Sequence, residues 1–159
     1  MGILCSLQGK PGKLKQMTKI PNNGLLLDTH VWVWLNEGSP ELKPNIVKLI
    51  DETAQKHGIF ISAISVWEIA TLANKKRLTL KMPIEEWTEQ ALSQPGVDLA
   101  LLLPAISIES ANLPGGGMHG DPADRLIIAT ARFHRFTLLT RDNLILNYAK
   151  KGLLSAIKI

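Results

Sequence analysis

Four acidic residues stand where a sheet protein does chemistry. Asp28 ends the apolar run Leu25-Leu26-Leu27, and Asp142 follows Leu138-Leu139-Thr140-Arg141. Glu68 falls in a helical stretch after Ile59-Phe60-Ile61, and Asp124 closes Asp121-Pro122-Ala123-Asp124. Ligands of open α/β sheets bind beyond the carboxyl ends of the strands, and these acids recur at that edge. Carboxylates gathered in one place repel one another. Hard divalent cations with oxygen ligands, Mg²⁺ or Mn²⁺, relieve such repulsion. A cation held in this way polarises a phosphoryl oxygen, activates water and stabilises a leaving oxygen, the requirements for cutting a phosphodiester. Each acid also has a structural role open to it. Asp28 and Asp142 suit helix N-caps. Asp121-Pro122 reads as an N-cap with proline at the first helical position, and Asp124 then favours the helix dipole. Ser65-Val66-Trp67-Glu68 matches a capping box, although the helix is expected to begin before Ser65. Ser65, Glu68 and Lys75 also lie near one polar stripe that water could simply solvate.

The elements that must position these acids alternate. Strand signals cover Gly24–Asp28, Gly58–Ser62, Val97–Leu103, Phe136–Thr140 and an edge segment, Leu154–Ile159. Helical spacing of apolar residues covers 30–36, 41–56, 62–75, 83–93, 106–112, 121–134 and 143–150. Alternating strands and helices imply a parallel sheet covered on both faces. The expected fold is therefore α/β, in three layers, around a mostly parallel sheet of four to five short strands. Residues 113–120, with three consecutive glycines, read as a mobile loop.

Composition narrows the class. The chain has 159 residues, 45% of them hydrophobic and 20% charged, which suits one globular domain rather than a disordered chain. No apolar run approaches the roughly 18 residues of a membrane helix. The single cysteine, Cys5, excludes an internal disulfide and a Cys-based zinc site, and a reducing, cytoplasmic setting fits best. The net charge of +4 belongs to one end. Residues 1–23 carry Lys10, Lys13, Lys15 and Lys19 and no acid, which leaves 14 basic and 14 acidic side chains in residues 24–159. The chain thus divides into a basic, irregular N-terminal extension, 1–23, and a neutral body, 24–159. Met17 is an alternative start. Met1-Gly2-Ile3-Leu4-Cys5-Ser6 also matches an acylation pattern that short sequences meet by chance.

Leu25-Leu26-Leu27-Asp28-Thr29-His30, Ser65-Val66-Trp67-Glu68-Ile69-Ala70, His119-Gly120-Asp121-Pro122-Ala123-Asp124-Arg125-Leu126-Ile127-Ile128-Ala129 and Leu139-Thr140-Arg141-Asp142, in this order, resemble the PIN-domain ribonucleases. The likeness is to the VapC-like toxins of bacterial toxin–antitoxin pairs. It implies a compact α/β/α fold, Mg²⁺-dependent endoribonuclease activity on RNA, a cognate antitoxin as partner, and a homodimer. Carried over by position, Asp28 and Asp124 hold the metal directly. Glu68 and Asp142 complete the acid set by orienting waters, one of which attacks the phosphorus in line. Asp121 is an extra acid of the Asp-Pro-x-Asp motif. Ala123 stands where many members carry a bulkier side chain, and the basic extension is not part of the pattern.

Other residues hold lesser roles. The Thr29 hydroxyl can bond a ligand carboxylate or a water. Lys75, Lys76 and Arg125 can contact phosphate, Arg132 shares a face with Arg125, and Arg125 can equally pair with a neighbouring acid. His30 and His119 stand near the site and read as satisfied structural histidines. Trp32, Trp34 and Trp67 read as buried in the core or an interface, and Trp87 as a surface-helix anchor. A haloacid-dehalogenase-type phosphatase needs a second Asp two residues after Asp28, where His30 stands. A phosphate-binding P-loop is excluded because no lysine follows the glycine run in the required register. The rival of a different class is a non-catalytic module that keeps the fold for binding protein or RNA.

Overall fold

The apolar triplet after Gly24 becomes the central strand. The computed structural model describes residues 22–116 and 120–159. The acylation pattern, Met17, the lysines of the extension and His119 lie outside them. β1 (Leu25–Leu27) is buried on both faces and pairs in parallel with β2 (Ile59–Ser62) and β4 (Thr137–Thr140). β3 (Val97–Ala100) adds to β2 and β5 (Ala156–Lys158) to β4, giving the order β3-β2-β1-β4-β5 with every pairing parallel. A strand covered on both faces needs an unbroken apolar run, as Leu25-Leu26-Leu27 provides.

Helices fill the outer layers. α1 (Thr29–Glu37), α2 (Pro44–Lys56) and α4 (Ile84–Leu92) bring Val31, Trp32, Ile46, Leu49, Ile50 and Trp87 against Leu25, Leu27, Ile59, Ile61 and Leu139. α5 (Pro104–Ala111), α6 (Pro122–His134) and α7 (Asn143–Tyr148) bring Ile106, Ile127, Ile128, Ile145 and Tyr148 against Leu26 and Leu138 on the other face. Each fully buried Leu or Ile contributes about 1.5–3 kcal/mol of transfer free energy. α3 (Ala63–Asn74) follows β2 directly and reaches both cores, through Ile69 on one side and Ile64 on the other. None of the described helices is long and apolar enough to cross a membrane.

Several expected boundaries move, each for a local reason. α2 starts at Pro44, not Glu41, because proline is preorganised for a first helical turn and Lys43 before it is extended. β3 stops at Ala100, not Leu103, because its partner β2 ends at Ser62, opposite Ala100, where α3 begins. α7 ends at Tyr148, and Ala149–Leu153 form a wider turn through Gly152 at φ 77° before β5. Gly96, at φ 75°, lets α2 approach β3. A Cβ there would lie 2.5 Å from the Ala54 carbonyl oxygen. Trp87 is no surface anchor: it is 3% exposed and packs edge-on against Trp32 at 4.9 Å between ring centroids. Its Nε1 donates to Glu37 Oε1 at 2.8 Å. Trp67 is the converse, with 59% of its surface in solvent.

Candidate functional site

All strands being parallel, their carboxyl ends share one edge. Asp28 leaves β1 there as the N-cap of α1, and its Oδ1 accepts from Thr29 N at 2.8 Å. Its Oδ2 accepts from Thr140 Oγ1 at 2.5 Å, at the end of the neighbouring β4. Asp142 caps α7, and its Oδ1 accepts from Leu144 N at 2.7 Å and Ile145 N at 3.1 Å. Its own backbone N–H donates to Thr140 Oγ1 at 3.0 Å. Thr140 thus ties the acid after β1 to the acid after β4. Asp121 caps α6 through Oδ1, which accepts from Ala123 N at 2.9 Å, with Pro122 at the first helical position. All three expected N-caps are formed.

Glu68 and Asp124 sit inside their helices and cap nothing. Thr29 Oγ1 stands 2.5 Å from Glu68 Oε2 and 2.8 Å from Ser65 Oγ. Burial raises the Glu68 carboxyl above its ordinary range, the Thr29 hydrogen bond opposes that, and Asp28 and Asp121 add to it. Asp124 is pushed from 3.8 to about 7, by burial first and then by Asp28, Asp142, Glu68 and Asp121. Four neighbouring carboxyls therefore act on Asp124, and two of them, Asp28 and Asp121, also act on Glu68. His30 is lowered mainly by burial, against the pull of Asp28. Its Nδ1 lies 3.4 Å from Asp28 Oδ2, and its Nε2 accepts from Arg141 N at 3.4 Å. That is a neutral, satisfied histidine, as expected of it.

The expected basic contacts are not brought to this edge. Lys75 and Lys76 are exposed at the far end of α3, Lys75 about 10 Å further along the axis than Glu68 at 1.5 Å per residue. The Arg125 guanidinium closes the end of α5, donating from Nε to Ser110 O at 2.9 Å and from Nη2 to Ala111 O at 3.0 Å. Arg132 pairs with Glu109 at 2.7 Å. Arg141 lies 4.2 Å over the Trp34 ring and 3.1 Å from Glu41. What the sequence reading missed is a set of buried hydroxyls. Thr140, Ser65 and Ser62 are each 0–1% exposed. The signal available was polar residues closing apolar strands, Ser62 after Ile61 and Thr140 after Leu139. Ser65 is neither solvated nor a cap, because α3 begins at Ala63 with Ser62 before it.

Among the described residues no three His, Cys, Asp or Glu side chains are gathered tightly enough to enclose an ion. The chemistry of the donor set nevertheless fits a hard divalent cation: the groups at this edge are carboxylate and hydroxyl oxygens, with no sulfur. Ser62 Oγ, next along the ladder from the Ile61–Leu27 pair, is buried there without a partner.

Comparison with known proteins places this edge in a family. The chain is 33% identical over 118 residues to Ribonuclease VapC22 of Mycobacterium tuberculosis, covering 74% of this chain and 86% of that protein. VapBC2 from Rickettsia felis, solved bound to a DNA fragment from its promoter, matches in fold with a TM-score of 0.64 and 18% identity, over 85% of this chain and 98% of that one. A toxin–antitoxin complex from Klebsiella pneumoniae matches with a TM-score of 0.51 and 23% identity, over 74% and 86% of the two chains. The PIN-domain family matches residues 25–151, from β1 through the acid after β4 and past α7, and the chain belongs to that family.

Proposed function

We propose that this protein is a divalent-metal-dependent endoribonuclease, Mg²⁺ or Mn²⁺ being the cation, and the toxin of a toxin–antitoxin pair. The observation that carries this reading is geometric: Asp28 and Asp142 leave neighbouring strands at one edge joined through Thr140, Glu68 is joined to Asp28 through Thr29, and Asp124 is a half-buried carboxyl crowded by these acids. Such a group is costly to ionise alone and is most readily satisfied by a cation. Family membership and the ribonuclease named among its relatives support the same reading.

Asp28 and Asp124 would hold the cation, Glu68 and Asp142 would complete the set, and Asp121 would add charge from the helix start. When bound, the cation supplies Lewis acidity and charge neutralisation at the scissile phosphate. The chain's own residues do the rest. Thr140 fixes Asp28, and its hydrogen bond with Asp142 N holds the α7 cap in register with β1. The Thr29 hydroxyl favours ionised Glu68, so that carboxylate can accept a hydrogen bond from an attacking water. His30 stands with Nδ1 3.4 Å from Asp28 Oδ2, and its lowered pKa keeps positive charge from adding beside the cation site.

That one structural neighbour is a toxin–antitoxin complex supports a protein antitoxin as partner. Leu101, Leu102 and Leu103 between β3 and α5, with Ile108 on α5, leave an apolar strip in solvent. That strip supports a homodimer. The proposed setting is the cytoplasm, where RNA substrates are met. The test is cleavage of a small-RNA pool by wild type and Asp28→Asn, with Mg²⁺ and with chelator. Discrete fragments from the wild type alone, lost with chelator, are expected. Fragments of equal yield from a pure Asp28→Asn preparation overturn the site assignment. Absence of both cleavage and a Mn²⁺-dependent melting shift favours the binding-module alternative.

A further inference from the structure

Ser65 is fully buried inside α3, where alanine would favour the helix more. It stands one turn before Glu68, so both side chains share a helix face. A serine inside a helix commonly bonds the carbonyl one turn back. Ser65 Oγ instead meets Thr29 Oγ1 at 2.8 Å, the same oxygen that stands 2.5 Å from Glu68 Oε2. Thr29 opens α1 with its backbone N–H on Asp28 Oδ1. The threonine therefore links the acid after β1 to the acid in α3, and the serine is the second anchor of its hydroxyl.

We propose that Ser65 is a positioning residue: by fixing the Thr29 hydroxyl, it sets the orientation of the Glu68 carboxylate toward the sheet edge. Glu68 has three side-chain torsions and would otherwise sample several rotamers. Without Ser65, the Thr29 hydroxyl would be held only by the Glu68 carboxylate it orients, and the pair would be free to move together. The consequence for metal binding rests on the proposed function, whereas the geometry rests on the hydroxyl contacts alone. Ser65→Ala removes one hydroxyl and leaves Thr29 paired with Glu68, so no buried group is orphaned and the helix is retained.

Two measurements test this on the full chain. The first, without metal, reads the Glu68 side-chain rotamer by ¹³C NMR in wild type, Ser65→Ala, Thr29→Val and the double variant. One rotamer is expected in wild type and averaging in both single variants, with nothing added in the double variant. An unchanged single rotamer in Ser65→Ala overturns the proposal. The second reads Mn²⁺ affinity by calorimetry in wild type, Ser65→Ala, Glu68→Gln and their combination. Ser65→Ala should weaken Mn²⁺ about 10- to 100-fold, as residues that orient metal ligands do. In the Glu68→Gln background it should add less than about twofold. Equal losses in both backgrounds would make Ser65 a merely structural residue and overturn the proposal. If wild type binds no Mn²⁺, the metal-dependent reading fails, and the metal-free rotamer comparison still decides Ser65.

Discussion

Asp124→Asn should stabilise the metal-free protein, and the size of the effect follows from the site. The carboxyl is raised from 3.8 to about 7. A pKa higher in the folded than in the unfolded chain means the folded state holds the proton more tightly, so ionisation opposes folding. The cost is absent below about pH 4, grows between pH 4 and pH 7, and is complete by about pH 8. Expressed in full, such a rise corresponds to ~4 kcal/mol. Asp124 keeps solvent contact, and screening reduces that to ~1–2 kcal/mol. In a chain of this size the variant should then melt ~3–6 °C above wild type at pH 8 without divalent ions. The gap should close as pH falls toward 4. Saturating Mn²⁺ should reverse the order, because ligand at about 100 times its Kd adds ~2.7 kcal/mol to the protein that binds it. Thermal melts of both proteins from pH 4 to pH 8, with chelator and with Mn²⁺, measure all of this. A variant no more stable than wild type at pH 8 in chelator, or a gap that does not change with pH, refutes the crowding of acids around Asp124.

Other perturbations separate structural from functional contributions. Thr140→Val removes the hydroxyl bonded to Asp28 Oδ2 and strips the Asp142 N–H of its acceptor. It should cost about 1–3 kcal/mol in denaturant melts and lower cleavage further than stability alone explains. Unchanged activity in the folded fraction would remove Thr140 from the site. Lys75→Ala with Lys76→Ala, at the far end of α3, should leave RNA cleavage within about twofold, as surface charges away from a site generally do. A tenfold loss would restore them as phosphate contacts. Trp87→Ala removes a core indole and the Glu37 hydrogen bond, and should cost about 3–5 kcal/mol. A cost under about 1 kcal/mol in the same melts would contradict its burial.

The alternation of elements and the sheet edge that collects the acids were legible because both depend on period and order. A short apolar run closed by a polar residue reads as a buried strand and its carboxyl end: Asp28 follows β1 directly, Ser62 and Thr140 close β2 and β4, and Asp142 comes two residues after β4. The destinations of long polar side chains were not legible. Arg125 on an exposed helix face looks the same in sequence whether it meets a phosphate or the carbonyls at the end of α5, because its partners lie 14 and 15 residues away and only packing brings them near. Trp87 was misread for a related reason: a nine-residue helix rich in acids looks superficial, and its indole is buried by residues distant in sequence, among them Trp32 and Glu37 of α1. Ser65 fits a capping box by its spacing to Glu68, with the helix expected to start before it, and the contact that gives it a role, with Thr29, spans 36 residues.

The two readings of the acids, helix cap and proposed metal ligand, are compatible. A parallel strand that ends at a ligand edge is followed at once by a helix, so the residue at the junction faces both. Asp121 and Asp142 take their capping bonds on Oδ1, and a carboxylate has a second oxygen to offer. Capping fixes such a side chain before any ion arrives, which lowers the entropy that binding must remove. Asp28 is held at both oxygens, by Thr29 N and by Thr140 Oγ1, leaving lone pairs but little freedom to move. Asp124 and Glu68 have no capping bond to restrain them, and burial and neighbouring charge act on both. The caps are thus the rigid side of the site, Glu68 is held by the Thr29 hydroxyl, and Asp124, in the first turn of α6, is its responsive member. The energetic response to a cation should appear first at Asp124, which is why its substitution, rather than that of Asp28, reports on the site through stability.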